Sequence, residues 1–397
     1  MNYEIKTLNE LSLDGKGSYG IAASAVPYSD ELYTYLRITD IKDDGNLDKS
    51  NLMSVADKKA YNYTLKKNDI VFARTGASTG RNYFYDETDG ELVYAGFLIK
   101  FSLDVKKVNP KFVKYYCQSK AYKDWIHSFN TGSTRGNINA KTYGTLPIPV
   151  FPRNYQNKVV SILDSIDLKI KNNIDINNNL EQQVLTLYRN RFVDTINDER
   201  RICRADEYFD ISIGKTPPRK EPQWFSTNPQ DVTWVSISDM GNCGLYINSS
   251  SEQLTKEAVD RHNVKVVPDN TVLLSFKLTV GRIAITNGEM TTNEAIAHFK
   301  TDKKEINEYL YCYLKCFNYQ TMGSTSSIAT AVNSKIIKGM PFVVPTDVEL
   351  KEFHDFAAPM FAKIKANQIE TDNLIALRDA LLPKLMSGEI NVSDVEL

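Results

Sequence analysis

The sequence predicts an α+β chain built twice: two duplicated domains of mixed β-sheet with short helices, separated by two long antiparallel coiled-coil helices. Two observations carry that expectation. Gly80-Arg81 recurs as Gly281-Arg282, Gly132-Ser133-Thr134 as Gly323-Ser324-Thr325, and Lys169-Ile170-Lys171 as Lys363-Ile364-Lys365, each roughly half a chain length downstream. So long a period means one domain plan used twice, with small insertions between the copies. Each copy also changes character in the same order, from alternating apolar residues to helical periodicity to a long stretch without glycine.

In the first copy Tyr35 to Ile41 alternates as a strand does, followed by a turn at Asp43-Asp44-Gly45; the counterpart is Trp234 to Met240. Asp69 to Ala73 reads as a second strand, matched by Asn270 to Leu274. After the Gly-Arg loop come Asn82 to Tyr85 and Ile283 to Ile285. A short helix is predicted from Asn109-Pro110, an N-cap and first-turn pair, burying Phe112, Tyr116, Trp125 and Phe129. Its partner carries Ile306, Leu310, Tyr313, Leu314 and Phe317 at three- and four-residue spacing. Each ends at a glycine suited to a C-cap, Gly132 or Gly323. Extended segments, Leu146 to Pro149 and Met340 to Pro345, close the two domains.

The long helices follow. Ile162, Ile166, Ile170, Asn173, Asn177, Leu180, Val184 and Leu187 form one apolar seam. Phe356, Met360, Ile364, Asn367, Leu374, Leu377, Leu381 and Leu385 form the other. Each helix, about 40 residues and roughly 60 Å long, has one stripe to bury, and its own duplicate is the obvious cover. A globular domain between them favours an antiparallel pair. Asn173 and Asn367, at matching positions, are either a buried register device or partly exposed seam-edge residues. The expected boundaries are 1–150 and 198–345 for the domains, and 151–197 and 346–390 for the helices.

Composition restricts function. The apolar and charged fractions, 42% and 24%, are those of an ordinary globular protein. No apolar run is long enough to span a membrane, and Met1 to Glu10 lacks the apolar stretch of a signal peptide. Cys117, Cys203, Cys243, Cys312 and Cys316 show no framework spacing and read as reduced thiols of a cytoplasmic protein. Cys312 and Cys316 share an apolar helix face without a complementary pair, so no metal site is expected. His127, His262, His298 and His354 form no acid–base cluster, and a Walker-type phosphate loop is absent. No catalytic residue is expected. The net charge of −1 is low for a free-standing nucleic-acid binder. DNA binding would need cations gathered on one face, or phosphate contacts from partner subunits.

Leu377-Arg378-Asp379-Ala380-Leu381-Leu382-Pro383-Lys384-Leu385-Met386-Ser387-Gly388-Glu389-Ile390 closely resembles the end of the C-terminal helix in type I restriction–modification specificity subunits. Gly214-Lys215-Thr216-Pro217-Pro218-Arg219, with Trp224 and Trp234 to Asp239, resembles the opening of that family's target-recognition domains, Lys215 standing where a second glycine is common. Gly15 to Gly20, then Arg37 to Ile41, resembles a variant opening. The resemblance covers essentially the whole chain. It implies a non-catalytic reader of double-stranded DNA, whose two target-recognition domains each read half of a bipartite asymmetric target. The helices would set the gap and dock methyltransferase (modification) subunits, two of them, that use S-adenosylmethionine. A restriction/translocase subunit using ATP and Mg could join, and this chain would bind no cofactor itself. It also lacks the Asn/Asp-Pro-Pro-aromatic tetrapeptide expected of such a methyltransferase, so methylation must be borrowed.

Within that reading the repeated loops are the first candidates for DNA contact. Arg74, Thr75, Ser78, Thr79 and Arg81 lie between apolar strands, and the matching loop offers Lys277, Thr279 and Arg282. Arginine pairs bidentately with guanine, and hydroxyls reach phosphates or base edges; a hairpin with solvated arginines has the same sequence. Ser133, Thr134, Arg135 and Asn137, with Ser324 and Thr325, are candidates that also suit caps and turns. Thr216, Arg219 and Lys220 suit a stiff basic loop against phosphate, or a solvated one. The alternative from another class is a coiled-coil scaffold or adaptor whose β-rich domains bind protein. Salt-sensitive, sequence-dependent DNA binding separates the two.

Overall fold

The computed structural model describes residues 2–129, 137–195, 200–322 and 332–392. The chain forms two compact units, Met1–Leu168 with Leu374–Leu397, and Lys169–Asn373. Each unit holds one β-rich domain and a stretch of both long helices.

In the first unit Glu4–Thr7 pairs antiparallel with Pro147–Val150. A four-stranded sheet runs in the order Ser18–Tyr19, Leu98–Ser102, Asp69–Ala73, Asn82–Phe84. Another runs Ala25–Pro27, Met53–Val55, Tyr33–Leu36, Leu92–Tyr94, its last pair parallel. The second unit repeats this wiring. Ile202–Arg204 pairs with Pro341–Val343. One sheet runs Asp210–Ile213, Ile296–Lys300, Val272–Ser275, Ile283–Thr286, with Tyr246–Ile247 added at the edge. The other runs Phe225–Ser226, Glu252–Leu254, Val232–Val235, Thr291–Thr292, its last pair again parallel. Asp69–Ala73 and Val272–Ser275 are buried along their whole length, as expected of apolar runs covered on both faces.

Several elements differ from the sequence expectation, each for a local reason. The strand predicted over Asn270 to Leu274 runs Val272–Ser275, Asn270 lying before it at φ +54°. The strand predicted over Tyr35 to Ile41 stops at Leu36, and Ile38–Asp40 is a 3-10 turn. Its counterpart stops at Val235 and turns into a helix, Ile237–Asn242. The Asp40 carboxylate accepts the Arg37 N–H at 2.8 Å, and the Asp239 carboxylate the Ser236 N–H at 2.8 Å. The polar residues that mimicked strand alternation are therefore capping residues. The first short helix begins as predicted, with the Asn109 side chain accepting the Lys111 N–H at 3.1 Å, but ends at Tyr116. A second helix, Lys120–His127, restarts on a Ser119 cap. Phe112 and Tyr116 are buried, Trp125 is half-buried, and Phe129 is exposed. The predicted caps Gly132 and Gly323 lie outside the described residues.

The long helices span Arg153–Tyr188, continued by a π-helical turn at Arg189–Val193, and Asp347–Ser387. Contacts inside each unit run in opposite chain directions. In the first, the Tyr155 hydroxyl donates to the Leu385 carbonyl at 2.8 Å and Arg378 meets Asp167 at 3.2 Å. In the second, Asn173 Nδ2 donates to Glu370 at 2.9 Å, and the Tyr188 and Phe353 rings meet at 5.9 Å. Ile166 and Ile364 are buried in the seam; Ile170, Leu180, Leu187, Met360, Leu374 and Leu381 are half-buried. Phe356 and Leu377 are exposed instead, because Phe353, Ala357 and Phe361 hold the buried stripe at the start of the C-terminal helix, and Leu382 and Leu385 hold it near the end. Asn173 and Asn367 are only 1% and 2% exposed. Asn367 Nδ2 donates to Asn177 Oδ1 at 2.8 Å. The two asparagines are thus buried and bonded across the seam, each to a different partner. A slipped register would leave both amides buried without those bonds.

Each domain is fastened to its own stretch of helix. In the first unit the Tyr115 hydroxyl lies 2.7 Å from Asp164 and 2.8 Å from Asp167. In the second, the Gln368 amide accepts the Tyr246 N–H and donates to the Tyr246 carbonyl, both at 3.0 Å, completing the edge strand as another backbone would.

The second core contains His298, fully buried, with Nδ1 3.0 Å from Ser212 Oγ and Nε2 2.7 Å from Thr292 Oγ1. Burial, with Lys300 adding to it, holds the imidazole pKa down to about 3. The unfolded chain takes up this proton near pH 6.5 and the folded chain does not until about pH 3. Stability therefore falls as pH drops through that window. At pH 5 the loss is about 2 kcal/mol relative to pH 7. Urea melts at the two pH values should show that much less pH dependence in His298→Gln than in the wild type; equal slopes would contradict the assignment.

Candidate nucleic-acid interface

In each unit a fully buried strand leads into the Gly-Arg loop and out along its antiparallel neighbour. The repeated glycine has a backbone cause: Gly80 has φ +93° and Gly281 φ +91°, a region that residues with a side chain rarely adopt. The Gly80 N–H closes the loop on the Ala73 carbonyl at 3.0 Å, and the Gly281 N–H on the Ser275 carbonyl at 3.0 Å.

The repeated arginine faces its own domain. Arg81 donates to Asp43 at 2.6 Å and to the Ile41 carbonyl at 3.1 Å. Arg282 donates to the Ile237 carbonyl at 2.6 Å. Both guanidinium groups pin the capping turn that follows the truncated strand, Arg81 through two nitrogens and Arg282 through one.

Arg74 is placed differently. It lies over the Tyr19 ring at 5.1 Å, and its Nη2 donates to Asn137 Oδ1 at 3.4 Å. Among the described residues its Nε is buried without a partner. Thr75 bridges to Asn137 through the backbone, and the Ile138 N–H donates to the Arg74 carbonyl at 2.9 Å. The structure thus gathers Arg74, Thr75 and Asn137, with Tyr19 as a platform. Ser78 is buried in the loop's 3-10 turn, and the Thr79 hydroxyl donates to the Gly76 carbonyl at 2.8 Å. Ser133, Thr134 and Arg135 lie outside the described residues, as do Ser324 and Thr325.

In the second unit Thr216, Arg219 and Lys277 converge on acidic partners. The Thr216 hydroxyl donates to Glu294. Burial works against ionisation of Glu294, yet that bond and the charges of Lys277 and Arg219 hold its carboxyl below the usual pKa. Arg219 makes a two-pronged pair with Glu252, at 2.9 and 2.8 Å, and lies over Phe225 and Trp234 at 4.2 and 4.6 Å. Such a guanidinium is held in one orientation, with its remaining donors fixed in direction. Lys220, Lys277 and Thr279 are exposed. The sequence reading missed Tyr19, Glu252 and Glu294. Only Tyr19 had a signal, its place beside the opening glycines; the glutamates are identified by their cationic and hydroxyl partners, far away in sequence.

Among the described residues no group of three or more histidine, cysteine, aspartate or glutamate side chains could hold a metal. No described helix is long and apolar enough to cross a membrane. Cys312 is buried in the second core with Cys316 half-buried beside it.

A family model described as type I restriction modification DNA specificity domain matches residues 2–182 and again 199–373. The HindI specificity subunit of Haemophilus influenzae is 21% identical over 405 residues, covering 82% of this chain and 87% of that protein. The MjaIX specificity subunit of Methanocaldococcus jannaschii is 24% identical over 311 residues, covering 72% and 70%. A crystal structure of the type I restriction–modification S subunit from M. genitalium shares the fold, with a TM-score of 0.57 at 16% identity over 97% of this chain and 96% of that one. A domain match to each half, on two halves wired alike, places this chain among the type I restriction–modification specificity subunits.

Proposed function

We propose that the chain reads a bipartite, asymmetric DNA target in the cytoplasm, one half with each β-rich domain, and is itself non-catalytic. The long helices set the gap between the halves and dock two methyltransferase (modification) subunits that carry S-adenosylmethionine; a restriction/translocase subunit using ATP and Mg can join them. One observation carries this reading: the two domains share strand order, capping turn and Gly-Arg clamp, while their exposed loops differ. The first offers Arg74, Asn137 and Tyr19, the second Thr216, Arg219, Lys277 and Glu294. A common frame with different tips suits two similar tasks on two different sequences. Helices of 36 and 41 residues, about 54 and 62 Å long, exceed one DNA turn of about 34–36 Å, which suits a spacer.

The test is a genome-wide map of methylated adenine in cells with and without this chain. Loss of a single two-part asymmetric motif is the expected result. A map that does not change, in cells whose methyltransferase is active, would overturn the proposal.

A further inference from the structure

Leu278 has a position that neither folding nor solubility explains. It sits in the loop after the buried strand Val272–Ser275, is 100% exposed, and has φ +60°. The Thr279 N–H donates to the Lys277 carbonyl at 2.6 Å, which makes Leu278 the centre of a three-residue turn. Turns of this kind with positive φ are rare and strained, and for leucine the conformation is a real outlier. The turn is also held in place. Ser275 Oγ donates to the Thr279 carbonyl at 2.6 Å and accepts the Arg282 N–H at 3.0 Å. In the first unit's loop the left-handed position is filled by Gly76, at φ +77°, followed by an exposed Ala77. Glycine takes that backbone without strain; leucine does not, and gains no internal packing in return.

Strain that the surroundings maintain, on a side chain projecting away from the fold, points to a use for that side chain. Its flanks are Lys277 and Thr279, both exposed, and the charge of Lys277 acts on Glu294 in the Thr216–Arg219 cluster. We infer that Leu278 is the apolar reader of the second domain, seated against the hydrophobic surface of a base in its half-site. This rests on the DNA-reading function proposed above. Duplex DNA offers such surface in two places, the C5 methyl of thymine and the face of a base step opened by an apolar wedge. The backbone contacts of Lys277 and Thr279 would hold the leucine in register. The first domain's glycine–alanine tip would read no base this way.

The experiment uses the full chain assembled with its methyltransferase subunits, and duplexes carrying the target mapped from the methylome. Leu278→Ala and Leu278→Gly should weaken binding to the target about tenfold or more, leave binding to unrelated duplex unchanged, and leave the melting temperature unchanged or, for glycine, raised. Leu278→Met should retain most of the affinity. Replacing thymines of the second half-site one by one with deoxyuridine tests the methyl contact. One replacement should weaken the wild type to the level of Leu278→Ala and weaken that variant no further. If the leucine is a wedge, 2-aminopurine at a single step should brighten with the wild type and not with Leu278→Ala. Equal binding of all duplexes by wild type and Leu278→Ala, with the wild type still preferring its target, overturns the role of Leu278 and leaves the DNA-reading function standing. A wild-type complex with no preference for the mapped target overturns that function, and the role of Leu278 with it.

Discussion

Adding seven residues to the central helix after Leu168, and seven to the C-terminal helix before Leu374, is expected to abolish methylation at the native target and move it to one with a longer gap and the same two halves. Seven residues make about two turns, so the apolar stripe stays within about 20° of its phase, while each helix lengthens by about 10 Å. The insertion must be made in both helices. In the second unit Asn173 finds Glu370 and Asn177 finds Asn367, and in the first Arg378 finds Asp167. Lengthening one helix alone would put the first unit's pair out of register with the second unit's pairs, so that one set is lost; losing the second set leaves buried amides unpaired, at about 1–3 kcal/mol apiece. The single insertions should therefore give poorly folded protein, and the double insertion a folded one with a shifted target. Methylome sequencing reads the outcome. New half-site sequences, or an unchanged gap, would contradict a spacer role for the helices.

Gly214→Ala is expected to destabilise the second unit by about 3 kcal/mol. Gly214 lies where the end of one sheet crosses the backbone leading out of the other. A methyl there would stand 2.0 Å from Thr292 Oγ1, and 2.2 and 2.4 Å from the carbonyl oxygens of Asn293 and Thr292. The surroundings have little room to yield. Thr292 Oγ1 is held by His298, and its carbonyl accepts the Lys215 N–H at 2.9 Å. Gly20 has the same place in the first unit, where a methyl would lie 2.3 Å from the carbonyl oxygens of Tyr94 and Ala95. Limited proteolysis with mass spectrometry should find new cleavage within residues 200–345 for Gly214→Ala, and within the first domain for Gly20→Ala. A variant that melts with the wild type and resists protease would refute the steric argument.

The features most legible in the sequence were those written as patterns of several residues. The duplication was visible because spacing survives when individual side chains change. Asp69–Ala73 was found at its true ends because a doubly covered strand needs an unbroken apolar run. The proline segments read correctly as extended, and they prove to be paired strands. What failed was any position where one pattern serves two structures. Arg37 to Asp40 alternates like a strand, yet its aspartate caps a turn. Phe353 and Phe356 lie three apart, so helical spacing alone could not choose which one is buried. The Gly-Arg arginines were conspicuous as donors, but their acceptors, the carbonyls of Ile41 and Ile237, carry no sequence signal at all. Leu278 could not be singled out either, since a leucine between two buried strands gives no hint of its backbone angle.

The first strand of each domain pairs with its last: Glu4–Thr7 with Pro147–Val150, and Ile202–Arg204 with Pro341–Val343. Each domain is therefore a cassette whose entry and exit lie side by side. A foreign cassette with the same closing pair can be spliced between the same flanking residues without altering the path of the helix that follows. Change in such a chain need not proceed one residue at a time. On the reading proposed above, a single recombination event, with crossovers in the closing strands, would exchange one whole domain and the half-site it reads while the rest of the molecule inherits nothing new.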